Sequence, residues 1–294
     1  MLANLGIAIT KFIAAGLTAS SSMLAEAVHS LADTSNQLLL LLGGKRARRA
    51  ATPEHPFGYG RERYVYGFVV SIVLFTLGGL FALYEAWHKW SDPEPIETWQ
   101  WVPIVVLLVA MVMEGYALRT AVKESNRIRG GRSWVGFVRN AKAPELPVIL
   151  LEDMGALLGL AFALVGVSLT LVTGDGRWDA AGTAMIGALL VVIAAVLAVE
   201  MKSLLVGEGA AREHVRAIET ALPGDGIESV IHLRTMHLGP DELLVAAKVA
   251  VPPAASADEI AEAIDAAERR VRAAVPIARI IYLEPDLLRP SPAR

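Results

Sequence analysis

Met23-Leu24-Ala25-Glu26-Ala27-Val28-His29-Ser30-Leu31-Ala32-Asp33-Thr34-Ser35-Asn36-Gln37-Leu38-Leu39-Leu40 sets charged and hydroxyl side chains at helical intervals along an otherwise apolar run. At about 100° per residue, Ser22, Glu26, His29, Ser30, Asp33, Asn36 and Gln37 share one side of a helix, while Leu24, Val28, Leu31, Leu38 and Leu39 spread over the rest. Such a stripe inside a membrane must face protein or water, because an unpartnered acid near the bilayer centre costs several kcal/mol. His29 and Asp33 lie one turn apart, with Cβ atoms about 5–6 Å from each other, and can hold one ion between them. Glu26, on the same face one turn earlier, reads as a gate or proton-path residue rather than a ligand.

The chain as a whole supports a membrane reading. Its residues are 54% hydrophobic and its mean hydropathy is +0.47, above the roughly 45–50% apolar content of soluble domains. Without cysteine there is no disulfide, thiolate metal site or cysteine nucleophile, so a bound metal must use His, carboxylate, backbone or water. A net charge of −3 argues against a nucleic-acid partner. No basic n-region or cleavage site marks residues 1–18 as a signal peptide, and they read as a retained first span.

Six stretches satisfy the length rule for crossing a bilayer: 2–18, 22–44, 64–87, 101–118, 145–173 and 180–205. Lys45, Arg46, Arg48, Arg49, Arg61 and Arg63 follow the second, and Lys123, Arg127, Arg129, Arg132, Arg139 and Lys142 follow the fourth. The opposite connections, 88–100 and 174–179, are short, mixed in charge and flanked by Trp87, Trp90, Trp99, Trp101 and Trp178. The positive-inside rule then puts both termini in the cytoplasm.

After residue 206 the pattern changes. Residues 211–222 have helical spacing, 229–238 and 242–251 read as strands around Gly239-Pro240-Asp241, 256–275 is a charged amphipathic helix and 277–283 a β-branched strand. The domains predicted are thus a six-helix transmembrane domain over 1–206, a cytoplasmic α+β domain of order αββαβ over 207–288, and a disordered Pro-rich tail over 289–294.

Within the spans, Glu114 shares a face with Ala110, Ala117 and Ala121; a buried hydrogen bond to a neighbouring helix and a place on a proton or ion path both fit it. Glu152 and Asp153 stand side by side in an apolar run. Adjacent positions diverge by about 100°, so one contacts the ion and the other orients a ligand or carries a proton. Amphipathicity favours Glu152, which shares a face with Gly155 and Gly159; the shorter reach of Asp153 favours a rigid site. One imidazole among carboxylates points to a transition metal rather than magnesium or calcium.

Three motifs carry a resemblance: Leu24-Ala25-Glu26-Ala27-Val28-His29-Ser30-Leu31-Ala32-Asp33, His55-Pro56-Phe57-Gly58-Tyr59-Gly60-Arg61 and Leu151-Glu152-Asp153. The pattern resembles the cation diffusion facilitator family, zinc-transporter-type metal/proton antiporters, in the branch that includes the mitochondrial member. The resemblance implies a homodimer of six-helix protomers with a copper-chaperone-like cytoplasmic domain. It further implies export of a divalent transition metal, zinc foremost, in exchange for protons, with no prosthetic group and no enzymatic activity; the Ala- and Arg-rich composition suggests the inner (plasma) membrane of a bacterium. Its transport ligands fall on His29, Asp33 and Asp153, with Ile149 where a histidine usually stands and Glu152 available to replace it. A second metal site in the loop would use His55 and Glu54, with Tyr59 in place of its other histidine. In the cytoplasmic domain the usual ligand positions read Ile231, Lys248 and Tyr282, with Glu284 retained. The rival reading is a membrane-anchored scaffold or sensor acting through its soluble domain.

Overall fold

The computed structural model describes residues 2–93, 96 and 99–288; the expected tail over 289–294 lies outside them. Along the chain come α1 (Leu2–Thr18), α2 (Ser21–Ala47), α3 (Glu62–Val73), a π-helical stretch (Leu74–Leu80), α4 (Phe81–Ser91), α5 (Trp101–Arg129), α6 (Trp134–Asn140), α7 (Glu145–Thr173) and α8 (Arg177–Val206). They are followed by α9 (Arg212–Ala221), β1 (Ser229–Gly239), β2 (Glu242–Ala250), α10 (Ala257–Ala274) and β3 (Ala278–Asp286). Two compact units result: residues up to Lys45 with Arg63–Lys202, and Arg46–Glu62 with the residues from Ser203 onward.

Four helical rods in the first unit, Glu62–Ser91, Trp101–Arg129, Glu145–Thr173 and Arg177–Val206, are long and apolar enough to cross a membrane. The other two expected spans differ for separate reasons. The apolar part of α1, Leu5–Thr18, is short, and α2, although 27 residues long, carries the polar stripe. That stripe is turned inward: Glu26 is 0%, His29 1% and Asn36 0% exposed, while Leu31, Leu38 and Leu41 are 42%, 48% and 66% exposed. A helix that buries its acids and presents its leucines outward is built for lipid, where polar groups can be satisfied only inside the protein.

Several sequence expectations shift. The helix expected over 101–118 continues to Arg129, so Lys123, Arg127 and Arg129 ride on its last turns, with Arg127 paired to Glu124 at 2.9 Å. The unpredicted α6 starts where the Ser133 hydroxyl accepts a hydrogen bond from the Gly136 N–H. The third span is interrupted by the π-helical stretch at Gly78-Gly79. There the chain nearly touches α8: a Cβ on Gly79 would lie 2.6 Å from Val191, and one on Gly187 would lie 2.9 Å from the Leu83 nitrogen.

Asp179, expected in a loop, sits fully buried in the first turn of α8. Its carboxylate accepts from the Ser21 N–H at 2.8 Å, the Ser20 hydroxyl at 3.0 Å and the Ser22 N–H at 3.3 Å. The first turn of α2 is thereby capped by a side chain from another helix together with its own Ser20, whose hydroxyl accepts from the Met23 N–H at 3.2 Å. Beside it, Lys89 donates to the Ala19 carbonyl at 3.2 Å, closing the turn in which Ala19 takes φ 52°.

In the second unit β1 pairs antiparallel with β2, and β2 pairs parallel with β3. A parallel neighbour requires a crossover, which α10 supplies. Ile218 and Leu222 from the α9 region, Val245 and Val249 from β2, and Ala267 and Val271 from α10 form its core. The α10 start is fixed by a reciprocal capping box between Ser256 and Glu259, and the hydrogen bonds from Ser256 hold the Glu259 carboxyl below the usual range. The loop residue Gly60 packs on β1, where a Cβ would lie 2.7 Å from the Leu238 carbonyl oxygen.

Replacing Asp179 with alanine is expected to uncap α2 and cost about 1–3 kcal/mol, as for hydrogen bonds to a buried charge between membrane helices. The thermal unfolding midpoint of the full chain in detergent checks this: it should fall for Asp179→Ala and recover in part for Asp179→Asn. An unchanged midpoint for Asp179→Ala would contradict the capping role.

Candidate cation site

The inward stripe of α2 meets acids from two other helices. His29 Nδ1 lies 3.5 Å from Asp33 Oδ1. Neither ring nitrogen of His29 makes a hydrogen bond, nor does Asp33 Oδ1. Buried polar atoms are almost always hydrogen-bonded, so two nitrogens and an oxygen left over at one place are a donor set in want of an acceptor. Glu114 reaches this region from α5 and is buried; its carboxylate lies in electrostatic range of His29 and Asp33. From α7, Asp153 is half-buried within range of both Glu114 and Asp33.

Glu152 is fully inside, and its Oε1 accepts from Asn36 Nδ2 at 2.6 Å. The two neighbouring acids are therefore held differently, one tied to α2 through an amide and the other facing α5. Among the described residues no three His, Asp or Glu side chains already close on a common point as a metal shell would require. The set is gathered in one region of the bundle, with His29 and Asp33 as its tightest pair.

The sequence reading gave no site role to Lys11. On α1, Lys11 is completely buried, with Nζ 3.0 Å from Glu26 Oε2 and 2.7 Å from Ser30 Oγ. Glu26, expected as a gate or proton-path residue, is thus half of a buried ion pair, and its second oxygen, Oε1, has no hydrogen-bond partner. That oxygen points at α7 over Gly159, where a Cβ would lie 2.5 Å away; only glycine leaves the carboxylate this room. A lysine in an apolar helix is itself the signal of an intramembrane function, and its register opposite Glu26 was not legible because α1 and α2 are placed by tertiary packing. Asn36 was visible on the stripe, but its bond to Glu152 was not.

The charge inventory decides what this region can do. Glu26, Asp33, Glu114, Glu152 and Asp153 supply five carboxyl groups, and among the described residues the Lys11 ammonium lies within charge range of Asp33 and Glu114 and pairs with Glu26. Burying several carboxylates against one ammonium is prohibitive unless cations or protons make up the difference. Protons or cations could supply that balance here.

The remaining sequence candidates lie elsewhere. His55 and Glu54 are exposed in the loop of the second unit. The His55 ring lies against Tyr59 with centroids 4.6 Å apart, and hydrogen bonds from its own backbone N–H and from Thr52 hold the Glu54 carboxyl low. Glu145 and Glu200 pair with Arg63 and Arg139. In the sheet, Lys248 Nζ lies 3.0 Å from Glu284 and 3.1 Å from Asp286, so an ammonium already engages the retained acid.

Lys11→Met strands Glu26 without its counter-charge, and an expected loss of about 3–5 kcal/mol follows from breaking a buried pair at one partner. Lys11→Met with Glu26→Gln should restore much of it, since the apolar and neutral replacements leave no orphan charge. Thermal unfolding of the wild type, both single variants and the double variant forms the cycle; additive losses would show that the pair is not coupled.

Comparison with known proteins bears on the membrane reading. Residues 1–206 match the cation efflux transmembrane domain. The chain is 34% identical over 224 residues to the mitochondrial proton-coupled zinc antiporter SLC30A9 of Homo sapiens, an alignment covering 76% of this chain and 39% of that protein. It is 26% identical to metal tolerance protein C4 of Arabidopsis thaliana, over 79% of this chain and 51% of the relative. To the zinc transporter ZitB of Escherichia coli it is 28% identical, over 58% of this chain and 49% of the relative. The chain thus spans about two fifths to about half of the length of these relatives. With the domain match running from the first residue to the end of α8, and motif and charge pattern in agreement, the chain is a multi-pass membrane protein of the cation diffusion facilitator family.

Proposed function

We propose that this protein is a secondary transporter that moves a divalent transition metal, zinc foremost, out of the cytoplasm in exchange for protons. The observation that carries the reading is the donor set of His29 and Asp33, buried without hydrogen bonds for the imidazole, among more carboxylates than Lys11 alone can balance. His29, Asp33 and Asp153, with Glu152 beside it, supply one nitrogen and two or three oxygens for a four-coordinate ion in this reading. Glu26 and Glu114 flank them on the proton path. The names of SLC30A9 and ZitB, a proton-coupled zinc antiporter and a zinc transporter, support the same cargo.

Metal ligation requires deprotonated carboxylates and a neutral imidazole, so metal and protons compete for one set of atoms. Protons entering from the outer face expel the ion, and metal entering from the cytoplasm expels protons. Alternating access of the site to the two faces turns that competition into exchange. In this reading α1 and α2 complete six spans, both termini lie in the cytoplasm, and the membrane is the inner (plasma) membrane of the cell. The αββαβ unit is a copper-chaperone-like module that holds a homodimer together. The interruption of Glu152 by Asn36 makes Glu152 the adjustable ligand, free to leave the amide when the ion arrives.

Zinc flux into proteoliposomes under an imposed pH gradient tests this directly. Wild-type uptake should depend on the gradient. Asp33→Ala and Asp153→Ala should each slow it by more than about tenfold, the order expected for loss of a metal-site group. Separate Glu152→Ala and Asn36→Ala variants report whether the tie between them serves the site. Uptake indifferent to the gradient and to both aspartate replacements would refute the exchange.

A further inference from the structure

Away from the cation site, α5, α6, α7 and α8 enclose a groove of about 870 Å³ lined by Leu118, Val122, Val138, Leu151, Met154 and Val196, with Trp134 and Val199 among its exposed walls. Cavities of roughly 300–1,000 Å³ are the size that buries a small ligand. The lining is apolar, and its charged members stand at one end, Arg139 with a side chain 72% exposed and Glu200 facing it at 3.9 Å. The groove's Trp134 carries the Arg129 guanidinium 4.3 Å over its ring; that guanidinium also donates to the Asn126 side chain and the Arg132 carbonyl, and Arg132 is tied to the same turn through bonds to the Arg129 and Ile128 carbonyls.

Apolar depth with a guanidinium rim is amphipathic in the manner of a phospholipid: acyl chain inward, phosphate at the arginines. The short helix α6 reinforces this. It exposes Trp134 and Val135 while burying Phe137, as an interfacial helix does when it rests at the boundary of headgroups and chains. A second copy of the chain fits less well, since a twofold contact on this face would set Arg129, Arg132 and Arg139 against their own counterparts. We infer that the groove between α5, α6, α7 and α8 binds an anionic phospholipid, its acyl chain among the apolar residues and its phosphate on Arg129 and Arg139. Basic pockets between membrane helices recognise anionic headgroups in this way. The loosely held Arg139 exchanges its 3.9 Å partner for the phosphate, and Trp134, stacked under Arg129, lies between headgroup and chain.

Trp134 is also the reporter. The full-length protein is reconstituted in phosphatidylcholine vesicles in which about a fifth of the lipid is brominated phosphatidylglycerol or, in parallel, brominated phosphatidylcholine. Trp134 emission is taken as the difference from Trp134→Phe. It should be quenched about threefold more strongly by the brominated anionic lipid than by the zwitterionic one, the order expected for basic residues near a membrane surface. Arg129→Gln with Arg139→Gln should bring the two lipids to equality while far-ultraviolet circular dichroism stays unchanged. Ala195→Phe, which fills the groove and leaves the rim charges alone, should remove the excess quenching as well. Equal quenching of the wild type by both lipids would overturn the inference, and so would excess quenching that survives the paired arginine replacement. Trp134 unquenched by either lipid, as when a second copy shields it, would overturn it too.

Discussion

The ion pair between Lys11 and Glu26 is the interaction on which the rest of the bundle depends. Both groups are fully buried, and each would be untenable in an apolar surround without the other. Their pairing fixes α1 against the polar face of α2, and the Ser30 hydroxyl on the same ammonium sets the register. With α1 so placed, His29 and Asp33 lie within charge range of Lys11 on α1 as well as of the acids on α5 and α7. Lys11 pairs with Glu26 and lies within charge range of Asp33 and Glu114 as well.

Packing elsewhere serves that arrangement. Gly159 leaves space on α7 for the Glu26 carboxylate, and Asp179 on α8 holds the first turn of α2 by its N–H groups. The Asn36 amide reaches from the same helix to Glu152. Helix α2 is therefore fastened at its start by α8, in its middle by α1 and further along by α7, with the imidazole and carboxylate of the cation site between the fastenings. A rod held at several points presents His29 and Asp33 in fixed relation, with Glu152 of α7 tied to the same rod through Asn36.

Much of this was legible from spacing alone. The stripe from Glu26 to Gln37 announced a helix with a buried polar face because helical periodicity needs no partner to be seen. The helices Leu2–Thr18 and Glu145–Thr173 follow from the same apolar runs, and the order αββαβ from alternation and turns. What escaped depends on contacts between distant parts of the chain. Lys11 is 15 residues from Glu26 and Ser20 is 159 from Asp179, separations at which no local pattern speaks. The α6 helix escaped because seven residues are too few to show a period. The difference between Glu152 and Asp153 turned on whether an amide stood within reach of one of them, and only the packing of α2 on α7 puts Asn36 there.

The central claim is that the transported ion is held by the imidazole of α2 in company with carboxylates. X-ray absorption at the zinc edge of the zinc-loaded full-length protein reads that shell directly. The account predicts about four nitrogen and oxygen neighbours at about 2.0–2.1 Å with an imidazole signature that disappears in His29→Ala and persists in His55→Ala. A shell whose imidazole signature survives His29→Ala, or one made of oxygen alone, would contradict it.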